Sequence, residues 1–237
     1  MKISIQKYNP AVDSAPYYVE GDIEYRDKMT ALDAVYEFHK NIEPISYEYS
    51  CGGRICGRCA AMIDGQPALM CMTMLDDADH VIEPLEGLPV IRDLIVDKSS
   101  LDSHLSGISQ RVMTEPVTIS TIVSPDFDNT AYTERDHEFL LYAERCGRCG
   151  VCMSACSALK MSKDKYIGPA LMLQLAYRDM DWYDKADRVV QAVSSGLYDC
   201  IMCGKCDEVC MQGIPHVDIW TMLREKAEAR GLKPSNK

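Results

Sequence analysis

The sequence Cys146-Gly-Arg-Cys149-Gly-Val-Cys152-Met-Ser-Ala-Cys156 spaces four cysteines as C-x2-C-x2-C-x3-C. The same spacing returns at Cys200-Ile-Met-Cys203-Gly-Lys-Cys206-Asp-Glu-Val-Cys210. A cubane iron–sulfur cluster needs four thiolates, and two intervening residues let one tight loop aim three of them at the cluster. In two-cluster ferredoxins the fourth cysteine of each run ligates the cluster of the other run. The two runs therefore predict two cubane sites that exchange a ligand.

Two other roles for paired cysteines compete with this prediction. Zinc knuckles use C-x2-C pairs, but they need two cysteines per knuckle, whereas each run here has four. A disulfide framework is disfavoured because 12 Cys in 237 residues is below the ~8–10% typical of short secreted scaffolds. Iron–sulfur is favoured, and a zinc-stapled interaction module without a redox role remains the alternative outside that class.

A third group of cysteines precedes these runs and has a different spacing. Cys51-Gly-Gly-Arg-Ile-Cys56-Gly-Arg-Cys59 is followed at a distance by Cys71, and this is the pattern of plant-type two-iron ferredoxins. Gly52, Gly53 and Gly57 are expected to allow positive φ angles and close approach of the backbone to a cluster. Backbone N–H groups left free in such a loop stabilise negative charge. The loop therefore predicts a [2Fe–2S] site.

The overall charge excludes one class of partner. The chain carries 25 Lys and Arg against 36 Asp and Glu, a formal net charge of −11. A nucleic-acid-binding protein would show a basic face, and none is apparent, so no nucleic acid partner is expected. Arg54 and Arg58, in the first cysteine loop, either offset the charge of a cluster or are solvated side chains, and the sequence leaves both possibilities open.

Three features bear on the location of the protein. The N-terminal residues are polar and alternating, which is unlike a signal peptide. The longest uncharged run, 166–177, has 12 residues, whereas a membrane-spanning helix needs about 20. Thiolates kept as metal ligands suit a reducing compartment. We expect no membrane span in this chain and a cytoplasmic location, including the inner face of the cell membrane.

The first part of the chain is predicted to form a sheet with one helix. Apolar and polar residues alternate over 2–8 and from Tyr17 to Tyr25, which predicts two strands paired as a hairpin. Thr30, with an acid three residues later, predicts a helix start. This order of strand, strand, helix and cysteine loop is typical of a β-grasp fold. We assign residues 1–105 to a β-grasp 2Fe-2S ferredoxin domain.

A second hairpin is predicted between the cysteine loop and the end of this domain. Asp64-Gly65 is a typical two-residue turn, here between strands Ala60–Ile63 and Ala68–Met72, and it would carry Cys71 back to the cluster. Val81–Leu85 is predicted as a short strand, and residues 89–97 close the domain.

The second part of the chain is predicted to be all-helical. Residues 106–133, rich in Ser and Thr and with one β-like run at 117–123, are assigned to a linker. From Glu134 the pattern becomes helical, and 134–237 is assigned to an all-α domain resembling bacterial ferredoxins. A turn is expected at 163–166, and helices at 170–177, at 182–197 and after Pro215. The predicted fold class is thus α+β, with a β-grasp domain followed by an all-α domain.

The two domains, in this order and at this length, resemble the iron–sulfur subunit of the succinate dehydrogenase and fumarate reductase family. Besides the cysteines, the resemblance includes the loop 50–59, the turn Asp64-Gly65 with Cys71-Met-Thr73, and Pro89-Val-Ile-Arg-Asp-Leu-Ile-Val-Asp97. It implies an oxidoreductase subunit of electron transport and anaerobic respiration, with no substrate site of its own. The implied partners are a flavoprotein subunit that carries FAD and a membrane anchor with quinone.

The resemblance also implies which cysteines hold which cluster. The [2Fe–2S] cluster, nearest the flavin, is assigned to Cys51, Cys56, Cys59 and Cys71. The middle [4Fe–4S] cluster is assigned to Cys146, Cys149, Cys152 and Cys210. The third cluster is assigned to Cys156, Cys200 and Cys206, and it is [3Fe–4S] in typical members. This chain has Cys203 at the remaining position, so we predict a second [4Fe–4S] cluster there, with [3Fe–4S] beside a spare thiol as the alternative.

Several residues depart from the family pattern near the third cluster. Ser157 and Met211 stand where the family usually has proline, and Ala158-Leu159-Lys160 and Ile201 replace residues that serve quinone in many succinate dehydrogenases. The far partner could therefore be soluble or a thiol/disulfide system. Our first hypothesis is an electron relay between a fumarate- or succinate-converting flavoprotein and quinone or another redox partner. The alternative is the relay of a related flavoprotein or heterodisulfide-reductase-like complex with a different substrate.

Overall fold

The structure is a computed structural model that describes residues 1–113, 133–161 and 165–232. The chain divides into two compact units that interleave in sequence. The first unit contains Met1–Leu101, Gly147–Ala155 and Glu208–Gln212, and the second contains the remainder. The predicted β-like run at 117–123 and the first half of the predicted turn at 163–166 lie outside the described residues.

The first unit is built on a five-stranded mixed sheet with the order β2-β1-β5-β3-β4. Its elements are β1 (Lys2–Lys7), β2 (Tyr17–Asp22), α1 (Ala31–Asn41), β3 (Ala60–Ile63), β4 (Gln66–Leu69) and β5 (His80–Pro84). Strands β1 and β2 pair antiparallel, as predicted, whereas β1 and β5 pair parallel. A short hairpin of β6 (Val90–Arg92) and β7 (Ile95–Val96) follows.

Helix α1 covers the sheet because its apolar residues recur at helical spacing. Ala34, Val35 and Phe38 are fully buried and belong to one hydrophobic cluster with strand residues of β1 and β5. Thr30 caps the helix: its side chain accepts from the Asp33 backbone N–H, while the Asp33 carboxylate accepts from the Thr30 N–H. Such caps typically stabilise by about 1 kcal/mol. The predicted helix start is confirmed.

The predicted second hairpin is correct at its turn and wrong at its far end. Asp64 and Gly65 both have positive φ, 51° and 74°, as a two-residue type I′ turn requires. The returning strand stops at Leu69, however, and Met70–Met72 form a turn of 3₁₀ helix. The Met70 backbone N–H donates to the Cys59 carbonyl oxygen at 2.9 Å. The chain therefore bends at Cys71 and does not continue in the sheet.

A helix that the sequence analysis missed follows the β6–β7 hairpin. Helix α2 (Ser99–Ser109) begins in the predicted first domain and ends inside the predicted linker. Its serines have poor intrinsic helix propensity, which hid it. The helix forms because Leu101 and Leu105, one turn apart, are both buried, and because the Asp97 carboxylate accepts from the Ser99 N–H.

The second unit is helical, as predicted. Its longer helices are α3 (Glu134–Glu144), α6 (Pro169–Asp179), α7 (Arg188–Ser194) and α9 (His216–Ala229), and α6 packs against the other three. Of the short helices, α4 (Val151–Ala155) and α8 (Lys205–Glu208) lie within the two cysteine runs, and α5 (Ser157–Met161) follows the first run. Helix α4 belongs to the first unit. Lys226 of α9 ties the group together, because its ammonium contacts buried Asp136 of α3 at 2.7 Å and Asp179 of α6 at 2.8 Å.

The predicted helix over 182–197 is half as long in the structure. The carboxylates of Asp181 and Asp184 accept from backbone N–H groups two residues on, those of Tyr183 and Ala186. Such local turns compete with helix formation. Asp187 then caps α7 by accepting from the Val190 N–H at 3.1 Å.

Within the described ranges, none of the helices is both long and apolar enough to cross a bilayer.

Candidate iron–sulfur sites

The cysteines of the first loop come together beside the sheet. Cys59 precedes β3 and Cys71 lies in the 3₁₀ turn, and both are buried, while Cys56 is half-buried and Cys51 is exposed. The side chains of Cys59 and Cys71 interact directly, and Cys56 lies close enough for its charge to act on Cys59. Cys51 in turn interacts with Cys56. All four predicted ligands of the [2Fe–2S] cluster are therefore neighbours.

The loop backbone is arranged for negatively charged sulfur. The N–H groups of Cys56 and Gly53 each donate to the Cys51 sulfur at 3.3 Å. These hydrogen bonds lower the pKa of Cys51 to about 6. Burial raises the pKa of Cys59 to about 12, so this thiol becomes a thiolate only beside a compensating cation. A coordinated metal provides that charge and deprotonates such a thiol outright.

The predicted glycine angles are correct at two positions of three. Gly52 and Gly57 have positive φ, but the third left-handed residue of the loop is Arg54 and not Gly53. The Arg54 carbonyl oxygen accepts from the Gln212 side chain at 2.6 Å, which helps to hold this conformation. Arg58 is exposed, with Glu48 at 3.8 Å as a distant ion-pair partner.

A second set of cysteines lies in the same unit as the first. Cys149 and Cys152 belong to the first unit through the segment Gly147–Ala155, and Cys210 joins them through Glu208–Gln212. Burial raises the pKa of Cys149, Lys98 lowers it, and the charge of Cys210 raises it. The last cysteine of the second run thus lies near the first run. Cys146, also assigned to this cluster by the resemblance, ends a second-unit segment directly before Gly147.

The third set lies entirely in the second unit. Cys156, the last cysteine of the first run, is close enough to Cys200 and Cys203 for their charges to raise its pKa, after the larger effect of burial. Burial likewise raises the pKa of Cys206, with Asp207, Cys200 and Cys156 adding to it. The four cysteines of this set line one small cavity. Its lining also includes residues Ala158, Tyr166, Pro169, Ile201, Met202, Gly204, Lys205 and Val217.

The two four-cysteine runs adopt the same unusual backbone. The residue before the second cysteine is left-handed in both, Arg148 with φ 51° and Met202 with φ 53°. The glycine after that cysteine is also left-handed in both, Gly150 at 84° and Gly204 at 78°. A non-glycine residue rarely takes this conformation. The equal spacing of the two runs therefore corresponds to equal local structure.

The cysteine loops of the first unit touch through glycines. A Cβ placed on Gly57 would lie 2.5 Å from the Gly147 carbonyl oxygen, and one placed on Gly147 would lie 2.6 Å from the Ile55 carbonyl oxygen. Only residues without side chains permit such an approach. Lys98 adds a contact by donating to the Gly57 carbonyl oxygen at 3.1 Å. The two loops are thus held together by backbone contact.

Two polar side chains near the third set, buried Tyr166 and half-buried Asp207, were missed by the sequence analysis. Tyr166 lies in an uncharged run, and no sequence pattern there indicated a functional role. Asp207 lies between two cysteines of the second run, and its carboxylate accepts from the His216 N–H at 2.7 Å and contacts the His216 ring at 3.1 Å. The position of Tyr166 depends on tertiary packing, and the Asp207–His216 contact joins residues nine positions apart, so the cysteine spacing encodes neither.

The cysteine sets suit iron–sulfur clusters better than other metals. A four-thiolate zinc site needs one set of four cysteines and does not require ferredoxin spacing. Here three sets occur with ferredoxin spacing, with N–H groups directed at sulfur, and with a fourth cysteine exchanged between runs. Cys206, Asp207 and His216 do form a compact group of ligand atoms. The Asp207 carboxylate is already occupied by two hydrogen bonds to His216.

The fold and these sites define a ferredoxin-type electron carrier, and comparison with known families agrees. Residues 2–103 match the family described as 2Fe-2S iron-sulfur cluster binding domain, and residues 142–214 match the 4Fe-4S dicluster domain. The chain belongs to the family of iron–sulfur subunits of succinate dehydrogenase and fumarate reductase.

Individual relatives support this assignment, and they differ in how much of their own length the match covers. The fumarate reductase iron-sulfur subunit of Escherichia coli O157:H7 is 32% identical over 225 residues, covering 92% of this chain and 88% of that protein. A subunit of the CoM/CoB fumarate reductase of Methanothermobacter marburgensis is 32% identical over 211 residues. The match covers 89% of this chain but spans only 40% of the length of that relative.

A solved structure shows the same fold over the whole length. A chain of the Mycobacterium smegmatis Sdh1 complex in the apo form superposes with a TM-score of 0.80 at 25% sequence identity. The superposition covers 99% of this chain and 98% of the other.

Proposed function

We propose that this chain relays electrons between a flavoprotein that interconverts succinate and fumarate and a quinone or other redox partner. The observation that carries the proposal is the presence of three cysteine sets on a fold shared with fumarate reductase iron–sulfur subunits. No substrate site is assigned to this chain, and the flavoprotein with FAD would supply it. The far partner would be a membrane anchor with quinone or a soluble protein, and the complex would lie in the cytoplasm or at the inner face of the cell membrane.

The proposed cluster assignment follows the three sets. Cys51, Cys56, Cys59 and Cys71 would hold [2Fe–2S]. A [4Fe–4S] cluster would take Cys146, Cys149, Cys152 and Cys210, and the third cluster would take Cys156, Cys200, Cys203 and Cys206. Bound clusters supply one-electron carriers whose potentials depend on cluster type and on hydrogen bonds to sulfur. Four thiolates at the third site favour four irons over three.

The chain itself would provide the scaffold for this relay. Backbone N–H groups at Cys51 stabilise thiolate charge, and burial of Cys59 and Cys71 excludes water from one side of the first site. The contact between Gly57 and Gly147 brings the loops of the first two sites as close as backbones allow. At the third site Cys203 is exposed, which would let a partner approach.

A second candidate function is the relay of a related complex with a different substrate, such as a heterodisulfide-reductase-like system. One relative belongs to a CoM/CoB fumarate reductase, a name that pairs fumarate reduction with CoM and CoB. At the third site the cavity is lined by Ala158 and by Ile201, where quinone-linked members have other residues. This candidate keeps the three clusters and changes the partners.

The two candidates differ in the substrate of the purified complex. We would isolate the chain anaerobically with its native partners and follow the oxidation of reduced viologen after addition of fumarate. Fumarate-dependent oxidation is expected under the first candidate, and succinate should then partly bleach the cluster absorption. Turnover with a disulfide substrate and none with fumarate would support the second candidate.

A variant with Cys56→Ala serves as the control for the relay itself. It removes one predicted ligand of the first cluster while leaving the flavoprotein unchanged. In this variant, succinate should no longer reduce the two cubane clusters through the first site. Equal reduction of those clusters in both proteins would contradict the proposed order of the relay.

A further inference from the structure

Tyr166 is a fully buried tyrosine in the wall of the third cysteine site. Its side chain is 1% exposed, and it lines the same cavity as Cys156, Cys200, Cys203 and Cys206. The Cys200 side chain lies beside the phenol, and Cys156 and Cys206 are close enough for their charges to act on it. The aromatic ring therefore faces the position of the third cluster.

The hydroxyl of Tyr166 lacks a hydrogen bond of good geometry to any described residue. Buried hydroxyl groups are nearly always satisfied, and each exception calls for an explanation. A phenol needs an acceptor for its proton, and the cavity wall offers few. Among the described residues that line the cavity, the charged side chain other than the cysteines is that of Lys205, which has donors and no acceptor and donates to the Ser157 hydroxyl at 3.2 Å. Within this described part of the cavity wall, sulfur is thus the side-chain acceptor nearest the phenol.

We propose that the Tyr166 hydroxyl donates a hydrogen bond to sulfur of the third cluster, either the Cys200 thiolate or an inorganic sulfide, and thereby raises the reduction potential of that cluster. The inference rests on the proposed function, because it requires a cluster at the third site. It explains why the phenol is buried beside thiols with no protein hydrogen-bond partner among the described residues.

The direction of the effect follows from charge. Reduction adds one electron to the cluster and takes no proton, and the Tyr166 hydroxyl keeps its proton in both oxidation states. A donor pointing at sulfur stabilises the more negative, reduced state more than the oxidised state. Hydrogen bonds to sulfur are among the factors that set iron–sulfur potentials. Tyr166 would therefore make this cluster a better electron acceptor than its ligands alone would.

The test is an EPR-monitored redox titration of the intact complex with Tyr166→Phe, which removes the hydroxyl and keeps the ring. We expect the third cluster to become harder to reduce by roughly three- to tenfold in its equilibrium constant, where tenfold corresponds to about 59 mV for one electron. The first two clusters should keep their potentials and serve as internal references.

Tyr198→Phe is the matched control. It removes a phenol hydroxyl from the same unit, but this hydroxyl donates to the Leu232 carbonyl oxygen at 2.9 Å. It should lower thermal stability slightly and leave the third potential unchanged. An unshifted third potential in Tyr166→Phe, or the same shift in Tyr198→Phe, would overturn the inference.

A second variant covers the case in which Tyr166→Phe loses its third cluster. Replacing Tyr166 by 3,5-difluorotyrosine keeps the hydroxyl and makes it a stronger donor, so the third potential should rise. A potential that falls or stays constant would overturn the inference. Failure of this inference is distinguished from failure of the proposed function by iron analysis and EPR of the wild-type complex. If the wild-type complex lacks a third cluster, the cluster assignment itself is refuted.

Discussion

Cys203 is the residue that sets the expected type of the third cluster. It lines the same cavity as Cys156, Cys200 and Cys206, and it is the exposed member of the four. Its neighbours Met202 and Gly204 both have positive φ, so the backbone around it matches that of Cys149 in the first run. This shared backbone supports the proposal that Cys203 is the fourth ligand of the third cluster.

We predict that Cys203→Ala converts the third cluster to a three-iron form. Removing one thiolate leaves three ligands, which hold three irons, so the oxidised variant should show a stoichiometric [3Fe–4S] EPR signal that the anaerobically prepared wild type lacks. Lys205→Met is the control, because Lys205 lines the same cavity but offers no thiolate. A stoichiometric three-iron signal in the wild type would refute the prediction.

His80 is a second residue whose environment has a measurable consequence. It is 8% exposed and lies 2.7 Å from an Asp64 carboxylate oxygen and 3.3 Å from one of Asp76. Burial alone would lower the pKa of His80, but the hydrogen bond and charge of Asp64, with Asp76, outweigh it and raise the pKa above the usual 6.5. The protonated ring thus ties the β3–β4 turn to the start of β5.

The sign of this shift predicts a pH-dependent stability. A raised pKa in the folded state adds stability that is fully present below 6.5 and is lost as the pH rises through the folded pKa. The thermal midpoint of the wild type should decrease as the pH rises from about 6 to 8. His80→Gln should remove the contribution of His80 to this decrease, which is worth about 1 kcal/mol or less of folding free energy. Asp79→Asn, which changes the carboxylate directly before His80 that accepts from the Lys2 N–H, should keep the slope. An equal slope in His80→Gln would contradict the prediction.

At the scale of elements, the contact between the first two cysteine loops depends on the absence of a side chain. Gly147 has no room for a Cβ beside the Ile55 carbonyl oxygen, whereas a Cβ on Gly53 would meet only the Cys51 carbonyl oxygen at 3.8 Å. Neither glycine has a positive φ. The two positions therefore differ in the room available for a Cβ atom and not in backbone strain.

We predict that Gly147→Ala pushes these loops apart. Overpacking of this kind typically costs about 1–3 kcal/mol, so the variant should bleach at a lower temperature and show a weaker magnetic interaction between its first two reduced clusters. Gly53→Ala is the matched control and should change neither quantity appreciably. If Gly147→Ala behaves like Gly53→Ala in both measurements, the loops are not held by this contact.

At the scale of the whole molecule, each unit contains segments of both four-cysteine runs. Gly147–Ala155 and Glu208–Gln212 belong to the first unit, while Cys156 and Cys200–Asp207 belong to the second. Cys149 and Cys210 therefore share a unit although the sequence places them in different runs, and the same holds for Cys156 and Cys206. This exchange is the arrangement expected when the fourth cysteine of each run serves the other cluster.

The metal content of the whole chain tests the three assignments together. Clusters of the types [2Fe–2S] and [4Fe–4S] contain iron and sulfide in equal amounts, so anaerobically isolated protein should give a ratio of iron to acid-labile sulfide near one and little zinc. A ratio reproducibly below one would indicate a three-iron centre at the third site. Abundant zinc with little iron or sulfide would contradict the electron-relay function and favour a zinc-stapled module.

Local sequence determined the features that depend on neighbours in the chain. The capping pair Thr30 and Asp33, the I′ turn at Asp64-Gly65 and the cysteine spacings all act within a few residues, so each could be predicted without the fold. Helix α2 could not, because its low-propensity serines are overridden by the burial of Leu101 and Leu105. The shortened helix α7 is the reverse case, where local aspartate turns overrode an apolar pattern.

The sequence by itself determined that this protein carries three ferredoxin-type cysteine motifs, because ligand spacing is a property of the chain. Only the tertiary structure decided which side chains surround each set: the buried hydroxyl of Tyr166, the Lys98 ammonium beside Gly57, and the glycine contact between loops. These depend on segments far apart in sequence that pack against each other, and no local pattern records that packing.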